Sequence, residues 1–384
     1  MQRRTTTWTL ICLLALAPLA YAGSLEPPGA PAPTMKTLVE LEPRILVNQA
    51  NTPSGANALF EISQPGSYYL GGNITITTTA VNGISINSDD VTLDLNGFSI
   101  IGVGSVDAIR IISGDHVVIR NGFLQGFSNG MLIDGNSNYV TVEDVHSVGH
   151  VTAGFTAFGG AHITFRNCRA SNNGRAGFRA ANTPEYLTYS GCTAHNNGTT
   201  GSEGGFWLEG DAHVTDCSSD SNTGPGFRAR RGSYLTNVLA SNNTTNGIQL
   251  DGRASVTDSM IVDNTEYGIS ATDFVSLTNN RIYTNGSGGI RARSQAQITG
   301  NHVTDNGAVT GTGDGINLYG SNGYVDSNTC ALNAGNGIDV FSGADNTVTR
   351  NILTTDTINA GVTNNVAPTS TNAGTAGAWD NMSN

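Results

Sequence analysis

The chain repeats one short pattern along most of its length. From Gly226 onward, four consecutive segments of about 21 residues each open on a glycine and an apolar residue. They read GFRARRGSYLTNVLASNNTTN, GIQLDGRASVTDSMIVDNTEY, GISATDFVSLTNNRIYTNGSG and GIRARSQAQITGNHVTDNGAV. A repeat of this length with three short strand-like pieces is typical of one turn of a solenoid, because each turn packs only on its neighbours. The repeat therefore constrains the architecture more than any single motif does.

The apolar residue after the glycine extends the pattern well beyond those four copies. We call it the marker. Followed along the chain, it predicts about thirteen coils, with markers at Ile84, Ile109, Met131, Phe155, Phe178, Phe206, Phe227, Ile248, Ile269, Ile290, Ile316, Ile338 and Val362.

Each copy predicts three short strands. A second apolar or small residue follows the marker by two positions, as at Ile133 and Leu250, and this alternation is that of a strand with one buried face. Val-Thr or Leu-Thr pieces such as Val214-Thr215 predict a second strand, and Ile261 and Ile282 mark a third. No residues remain for a helix, so each strand must pair with its equivalent one coil away, about 4.8 Å distant. We predict an all-β, single-domain parallel β-helix.

The turns contain two further columns. Asn tolerates left-handed backbone and can hydrogen-bond its neighbours in a stack, so Asn columns satisfy turn amides that would otherwise be buried unpaired. The first predicted inward column is Asn96, Asn121, Asp144, Cys168, Cys192, Cys217, Val238, Ser259, Asn280, Asn301, Asn328 and Asn351. The second is Asn173, Asn197, Asn222, Asn243, Asn264, Asn285, Asn306 and Asn333.

The two ends differ from the repeats. Arg3 and Arg4 precede an apolar run, and Ala20-Tyr21-Ala22 has the form of a signal-peptidase site. We therefore predict a signal peptide at 1–22, cleaved near Ala22, and a secreted or periplasmic protein. A Pro-rich leader and N-terminal cap are expected at 23–58, with a short helix around Thr37 to Pro43, then the β-helix at 59–362 and a tail at 363–384 anchored by Trp379.

Charge and cysteine content narrow the partners. The formal net charge of −12 argues against nucleic acid as a partner, and outside the signal peptide no stretch is long and apolar enough to span a bilayer. Cys168, Cys192 and Cys217 share one column, and we expect buried free thiols there, with a disulfide between neighbouring coils left open. A zinc site is disfavoured, because the column brings no fourth ligand. No metal or other cofactor is predicted, and the oligomeric state stays open.

The passages PGSYYL at 65–70, VTLDLNG at 91–97 and GCTAHNNG at 191–198 resemble bacterial exported right-handed parallel β-helix proteins of the pectate-lyase-like superfamily. The resemblance covers nearly all of the chain after the signal peptide and implies the right-handed fold. It implies less about function, because the superfamily includes lyases, glycosidases, epimerases and phage tailspikes. Asp89-Asp90 and Gly114-Asp115-His116 are present, but the other elements of polygalacturonases and of calcium-dependent pectate lyases are not.

The outward positions of the first strand collect arginine around a tryptophan. The position after the marker holds Arg179, Trp207 and Arg228 on successive coils, and two positions later come Glu209, Arg230 and Asp251. Guanidinium groups pair with uronate carboxylates and an exposed indole stacks on sugar rings, so this patch suits an acidic polysaccharide. The alternative interpretation is that the patch binds no ligand. In that case it is a solvent-facing ladder in which Glu209, Arg230 and Asp251 neutralise one another.

A column seven residues after the marker adds titratable groups. It contains His162, Glu185, His213 and Tyr234, which we expect on four successive coils. A His or Tyr base beside an arginine that neutralises a substrate carboxylate suffices for metal-free β-elimination. The alternative interpretation is that these are ordinary polar residues at the start of a strand, with no catalytic role.

Two hypotheses follow for the function. The first is a non-catalytic β-helix that binds carbohydrate, an acidic polysaccharide above all, at the cell surface or in the periplasm. The second is a polysaccharide lyase or epimerase acting on a uronate-containing glycan. Its catalytic group is His213, Tyr234, Arg230 and Glu209, with His213 and Tyr234 as base and acid. Substrate contacts are predicted for Trp207, Arg179, Arg228, Asp251, His162 and Glu185.

Overall fold

The computed structural model describes residues 42–79, 81–104, 106–201, 203–309, 313–360, 365–366 and 370–372. Their regular secondary structure consists of β-strands, and every pair of neighbouring strands is parallel. The strands form three stacks along a solenoid of about thirteen turns, which confirms the predicted fold class. None of the described residues belongs to a helix long and apolar enough to cross a membrane.

Sheet one contains the markers. Its strands are Ala58–Ile62, Asn82–Ile86, Ile109–Ile111, Met131–Asn138, Phe155–Ala161, Ala176–Ala181, Gly204–Leu208, Phe227–Arg230, Ile248–Asp251, Tyr267–Ala271, Gly288–Ala292, Ile316–Leu318, Ile338–Val340 and Ile358–Ala360.

Sheet two contains the Val-Thr and Leu-Thr pieces. Its strands are Ile45–Leu46, Gly66–Tyr69, Val91–Asp94, Val118–Gln125, Thr141–Val148, Thr164–Arg166, Leu187–Ser190, Ala212–Thr215, Tyr234–Thr236, Ser255–Thr257, Ser276–Thr278, Gln297–Thr299, Tyr324–Asp326, Thr347–Thr349 and Asn365–Val366.

Sheet three follows sheet two in each coil and shares its two long strands, Val118–Gln125 and Thr141–Val148. Its own strands are Ile74–Thr75, Ser99–Ile101, Arg169–Ser171, Thr193–His195, Ser218–Asp220, Leu239–Ser241, Met260–Val262, Arg281–Tyr283, His302–Thr304, Thr329–Ala331, Ile352–Thr354 and Ser370–Asn372.

The markers stack in register through the core, as predicted. Phe155, Phe178, Phe206 and Phe227 lie ring over ring, with centroids 5.0, 4.6 and 4.7 Å apart. Each of these side chains is almost completely buried. The column continues past Ile338 to Ile358. The predicted marker Val362 lies outside the described residues.

The second asparagine column is confirmed as a buried hydrogen-bonded ladder. Asn243 donates from both its backbone N and its Nδ2 to Oδ1 of Asn264, at 3.1 and 2.9 Å. Asn264 in turn donates from Nδ2 to the carbonyl of Ala240 at 3.0 Å. Each side chain thus satisfies turn amides of the preceding coil, which would be costly to bury unpaired.

The first three members of the other turn column were predicted wrongly. Asn96, Asn121 and Asp144 are exposed, with left-handed φ values of 54, 60 and 54°. The buried positions on those coils belong to the residues adjacent to them, such as Leu95 and Val145. From Cys168 onward the predicted column is buried, and left-handed geometry falls on the residue before it, as at Asn167 and Asn279.

The cysteines behave as core residues. Cys168, Cys192, Cys217 and Cys330 are buried free thiols. Cys217 Sγ accepts a hydrogen bond from the backbone N of Cys192 at 3.3 Å, so the thiol performs in this row the task that asparagine performs at Asn280 and Asn301.

Several predictions for the termini lie outside the described residues. They are the signal peptide at 1–22, most of the leader and cap including nearly all of the helix around Thr37 to Pro43, and the anchor at Trp379. Strand pairing with the solenoid begins at Ile45, which is opposite Tyr68, and it continues to Asn365–Val366 and Ser370–Asn372. The predicted bounds of the β-helix, 59 and 362, are therefore too narrow at both ends, because these short segments still pair with the neighbouring coil.

Candidate functional site

The outward face of sheet one aligns the predicted Arg and Trp residues. Arg179, Trp207 and Arg228 are direct neighbours on three successive coils, followed by Gln249. Because their strands alternate inward and outward residues, all four side chains leave the same face of the sheet. This part of the sequence prediction agrees with the strand register.

The indole of Trp207 is not the free stacking surface that we expected. The guanidinium carbon of Arg228 lies 4.1 Å from the centroid of the ring, so one face is covered by the protein itself. Its Nε1 donates to Oε1 of Glu209 at 3.3 Å. Trp207 is half-buried and holds Arg228 and Glu209 in place, which corrects the expectation of an exposed indole.

The guanidinium groups of this face are matched by carboxylates. Arg228 contacts Oδ2 of Asp251 through both Nε and Nη2 at 3.0 Å. Nη2 of Arg230 lies 3.8 Å from Oε1 of Glu209.

A glutamate that the sequence analysis did not single out compensates the first arginine of the row. Glu203 is 8% exposed and lies 3.3 Å from Nε of Arg179 and 2.6 Å from Nη2 of Arg175. The Arg179 contact is an ion pair without hydrogen-bond geometry, because both atoms lack a hydrogen-bond partner. The predicted arginine patch is therefore charge-compensated rather than strongly basic.

A cleft of about 500 Å³ opens beside this face, where the chain leaves sheet one and turns towards sheet two. Four successive coils contribute to it, and its lining presents four carboxylates and two guanidinium groups. The lining residues are Thr183, Pro184, Glu185, Glu209, Gly210, Asp211, Arg230, Arg231 and Asp251.

The cleft brings together four of the predicted site residues, Glu185, Glu209, Arg230 and Asp251. Asp211 and Arg231 were missed. They lie in the turn between the two strands, outside the alternating columns that the sequence analysis followed. Each stands within two residues of a predicted one, so reading the turn residues beside the outward columns would have found them.

The predicted base and acid are neighbours but lie elsewhere. His213 and Tyr234 are opposite each other on sheet two, with ring centroids 5.0 Å apart at 41°, and both side chains are exposed. Tyr234 borders a separate depression of about 360 Å³ together with Arg253 and Phe274. Neither His213 nor Tyr234 is among the described residues that line the cleft.

His162 and Glu185 do not share the column of His213, so the predicted row of four is wrong. The residues of sheet two opposite His213 on the preceding coils are Thr188 and Thr164. The seven-residue offset from the marker fails there because those coils have longer turns between sheets one and two.

His162 belongs instead to a stacked aromatic ladder on the surface. His116, Tyr139, His162 and Tyr186 lie ring over ring, with centroids 5.2, 4.7 and 4.8 Å apart. All four have left-handed backbone, with φ between 53 and 58°. Tyr186, the last ring, is 59% exposed and directly follows Glu185 of the cleft. Tyr139 and Tyr186 were not singled out from the sequence.

Among the described residues, no group of three or more His, Cys, Asp or Glu side chains is arranged to hold a metal ion.

Solved structures of similar fold were found by comparison. The A-module of the mannuronan C-5 epimerase AlgE4 of Azotobacter vinelandii has a TM-score of 0.50 and 18% identity, covering 80% of this chain and 88% of its own. The periplasmic alginate epimerase AlgG has a TM-score of 0.46 and 13% identity, over 85% and 81%. The Dettilon tailspike protein has a TM-score of 0.42 and 14% identity, over 80% and 61%.

A search of curated proteins returned no significant match. The family model described as the right-handed β-helix region matches residues 66–213, 129–276 and 246–373, which together span most of the chain. With its parallel stacks and its register of markers, this chain belongs to the right-handed β-helix family.

Proposed function

We propose that this protein binds a polysaccharide in the cleft between sheets one and two. The observation that carries the proposal is the concentration of Glu185, Glu209, Asp211, Arg230, Arg231 and Asp251 in one cavity of about 500 Å³, a size typical of ligand pockets. Sugar hydroxyls both donate and accept hydrogen bonds. Carboxylates accept them and guanidinium groups donate them in fixed directions, so such a lining suits a chain of hydroxylated rings.

The solenoid supports a polymeric ligand rather than a single sugar. The outward row of sheet one continues past the cleft in both directions, one residue every 4.8 Å or so. The mannuronan epimerase AlgE4 provides only a fold-level analogy, that a protein of this fold acts on a polysaccharide. With the predicted signal peptide, the proposal places the protein in the periplasm or outside the cell.

The cleft by itself does not select for acidic sugars. Arg228 and Arg230 already face Asp251 and Glu209, so a uronate would compete with the protein's own carboxylates. We propose an acidic polysaccharide as the ligand, with the acidic preference supplied outside the cleft.

Binding to a panel of neutral and uronate polymers tests the proposal. Arg230→Gln and Glu209→Gln should each weaken binding about tenfold, the worth of one charge-assisted hydrogen bond. Arg166→Gln is the matched control, because Arg166 is an exposed arginine on sheet two, 3.6 Å from Glu143, and does not line the cleft. Wild-type protein that binds none of the polymers, or cleft variants that bind as wild type does, would overturn the proposal.

The contact between His213 and Tyr234 favours a second candidate, a lyase or epimerase acting on a uronate polymer. In a lyase, one group removes the proton α to the sugar carboxylate, the glycosidic C–O bond breaks, and the other group protonates the leaving oxygen. In an epimerase, the glycosidic bond stays intact and the other group delivers a proton to the opposite face of the same carbon.

The absorbance of an unsaturated product, together with NMR of the recovered polymer, distinguishes these outcomes. His213→Ala should abolish either signal. If wild-type protein leaves every uronate polymer chemically unchanged, the enzyme candidate is excluded, and the binding proposal is unaffected.

A further inference from the structure

A second cluster lies on the same face of sheet one, three coils beyond Arg228. The strand register runs from Arg228 through Gln249 and Ser270 to Arg291. At about 4.8 Å per coil, Arg291 lies about 14 Å along the solenoid from Arg228. A polymer that follows the outward row from the cleft would pass over it.

Arg291 is held between two aromatic rings. Its guanidinium carbon lies 5.5 Å from the ring centroid of Tyr267 and 4.6 Å from that of Tyr319. Such contacts orient the planar guanidinium group while leaving its N–H edge free to donate. The side chain is exposed, so that edge is open to a ligand.

Arg291 also differs from the other arginines of this face in its charge balance. Among the described residues of the two outward rows of sheet one, the other arginines each lie within 4.0 Å of a carboxylate, whereas Arg291 does not. The compensated arginines are Arg110, Arg179, Arg228, Arg230 and Arg293. Of the arginines on this face, Arg291 is therefore the one best able to bind an anion of a ligand, because its guanidinium group has aromatic partners and no carboxylate partner.

An exposed apolar ring adjoins the cluster. Phe341 is 75% exposed, and its backbone N donates to the carbonyl of Leu318, which places it beside Tyr319 on the next coil. Asp339 lies two coils beyond Arg291 in the same outward row, and it and Asp314 both accept hydrogen bonds from Nδ2 of Asn317. The cluster therefore combines an arginine that has no carboxylate partner with an exposed aromatic ring. A uronic acid residue matches both, because its carboxylate can pair with the guanidinium group and the C–H face of its ring can pack on the aromatic ring.

We propose that Arg291, Tyr267, Tyr319 and Phe341 form a second subsite, which binds the carboxylate of a uronic acid residue in the same polysaccharide chain. This inference rests on the proposed function and supplies its acidic preference. Because one polymer occupies both subsites, binding at the second is intramolecular, and a polymer gains affinity that a short oligosaccharide does not.

The experiment uses the uronate polymer that wild-type protein binds best and the same polymer with its carboxyl groups reduced to alcohols. Arg291→Gln should weaken binding of the uronate polymer about tenfold and leave binding of the reduced polymer unchanged. Arg293→Gln is the matched control, because Arg293 is an exposed arginine on the same strand region that faces Asp273 at 3.7 Å. Phe341→Ala should weaken binding of both polymers.

Each outcome decides between the two proposals. If Arg291→Gln binds the uronate polymer as wild type does while Arg230→Gln does not, the second subsite is wrong and the cleft stands. If Arg291→Gln loses binding and Arg230→Gln does not, the anion subsite stands and the cleft is wrong. Wild-type protein that binds neutral polymers but no uronate polymer overturns the second subsite and the proposed preference for acidic polymers, and it leaves the cleft as a polysaccharide site.

Discussion

A single histidine begins the asparagine ladder. Nδ1 of His150 accepts from the backbone N of Phe127 at 3.1 Å, and its Nε2 lies 3.1 Å from the carbonyl of Leu124. These two bonds are the ones that Asn197 makes to the coil before it, with an imidazole in place of the carboxamide. They assign the neutral tautomer with the proton on Nε2, since Nδ1 must accept.

Burial lowers the pKa of His150 from 6.5 to about 4. Above pH 6.5 the residue is neutral in both the folded and the unfolded chain. As the pH falls from 6.5 towards 4, the unfolded chain takes up a proton that the folded protein does not, so the free energy of unfolding decreases. The loss is on the order of 3 kcal/mol and is complete below the folded-state pKa.

His150→Asn should remove most of this pH dependence, because asparagine offers the same donor and acceptor without a charge. The measurement is the free energy of unfolding by denaturant, determined near neutral pH and at about pH 4.5. The control is His302→Asn, because His302 is exposed. An equal acid destabilisation of His150→Asn and wild-type protein would contradict the assignment.

The turns between sheet two and sheet three, and those after sheet three, depend on residues with left-handed backbone. Polar residues fill nearly all of these positions, as at Asn172, Asn242 and Asp263, because Asn and Asp adopt this geometry at low cost. Leu332 is an exception, with φ of 57° and 58% exposure. Its backbone is strained, because the Cβ of an ordinary residue crowds the chain in left-handed geometry, and its apolar side chain gains no burial in the core.

Leu332→Asn should therefore stabilise the protein by about 1 kcal/mol, the cost of holding a residue with an ordinary side chain in left-handed geometry. Chemical denaturation measures the change. Leu332→Ala removes the same exposed apolar atoms but keeps the strain, so it separates the backbone effect from the loss of surface. A gain in Leu332→Ala as large as that in Leu332→Asn would show that strain is not the cause.

At the scale of the whole solenoid, each coil contacts only the coils on either side of it, so stability is a sum of neighbouring interfaces. Deleting residues 269–289 removes one 21-residue coil and joins Gly268 to Ile290. The marker Ile248 then meets Ile290, and the ladder runs from Asn264 to Asn306. We expect this variant to keep its β-sheet circular dichroism and a cooperative unfolding transition.

Deleting only residues 269–278 is the control for length. It brings Asn279, which has left-handed backbone, into the marker position of Ile269, and we expect this variant to lose cooperative unfolding. If both deletions behave alike, the coil is not the unit of stability.

Column reasoning predicted the site only in part. It placed Arg179, Trp207 and Arg228 correctly, because the strands of sheet one stay in register across these three coils. It misplaced His162 and Glu185, because an offset counted from the marker assumes turns of constant length. It also assigned Asn96, Asn121 and Asp144 to the core, because an asparagine that points inward and one that only tolerates a left-handed turn look the same in sequence.

The sequence by itself determined the solenoid. A period of about 21 residues with inward apolar columns can bury its hydrophobic surface only by stacking, and buried turn amides require the asparagine ladder. Tertiary structure alone decided which of the aligned outward side chains form contacts with one another. Ion pairing, the covering of Trp207 by Arg228 and the uncompensated charge of Arg291 depend on side-chain positions across coils, at distances of a few ångströms that the repeat does not specify.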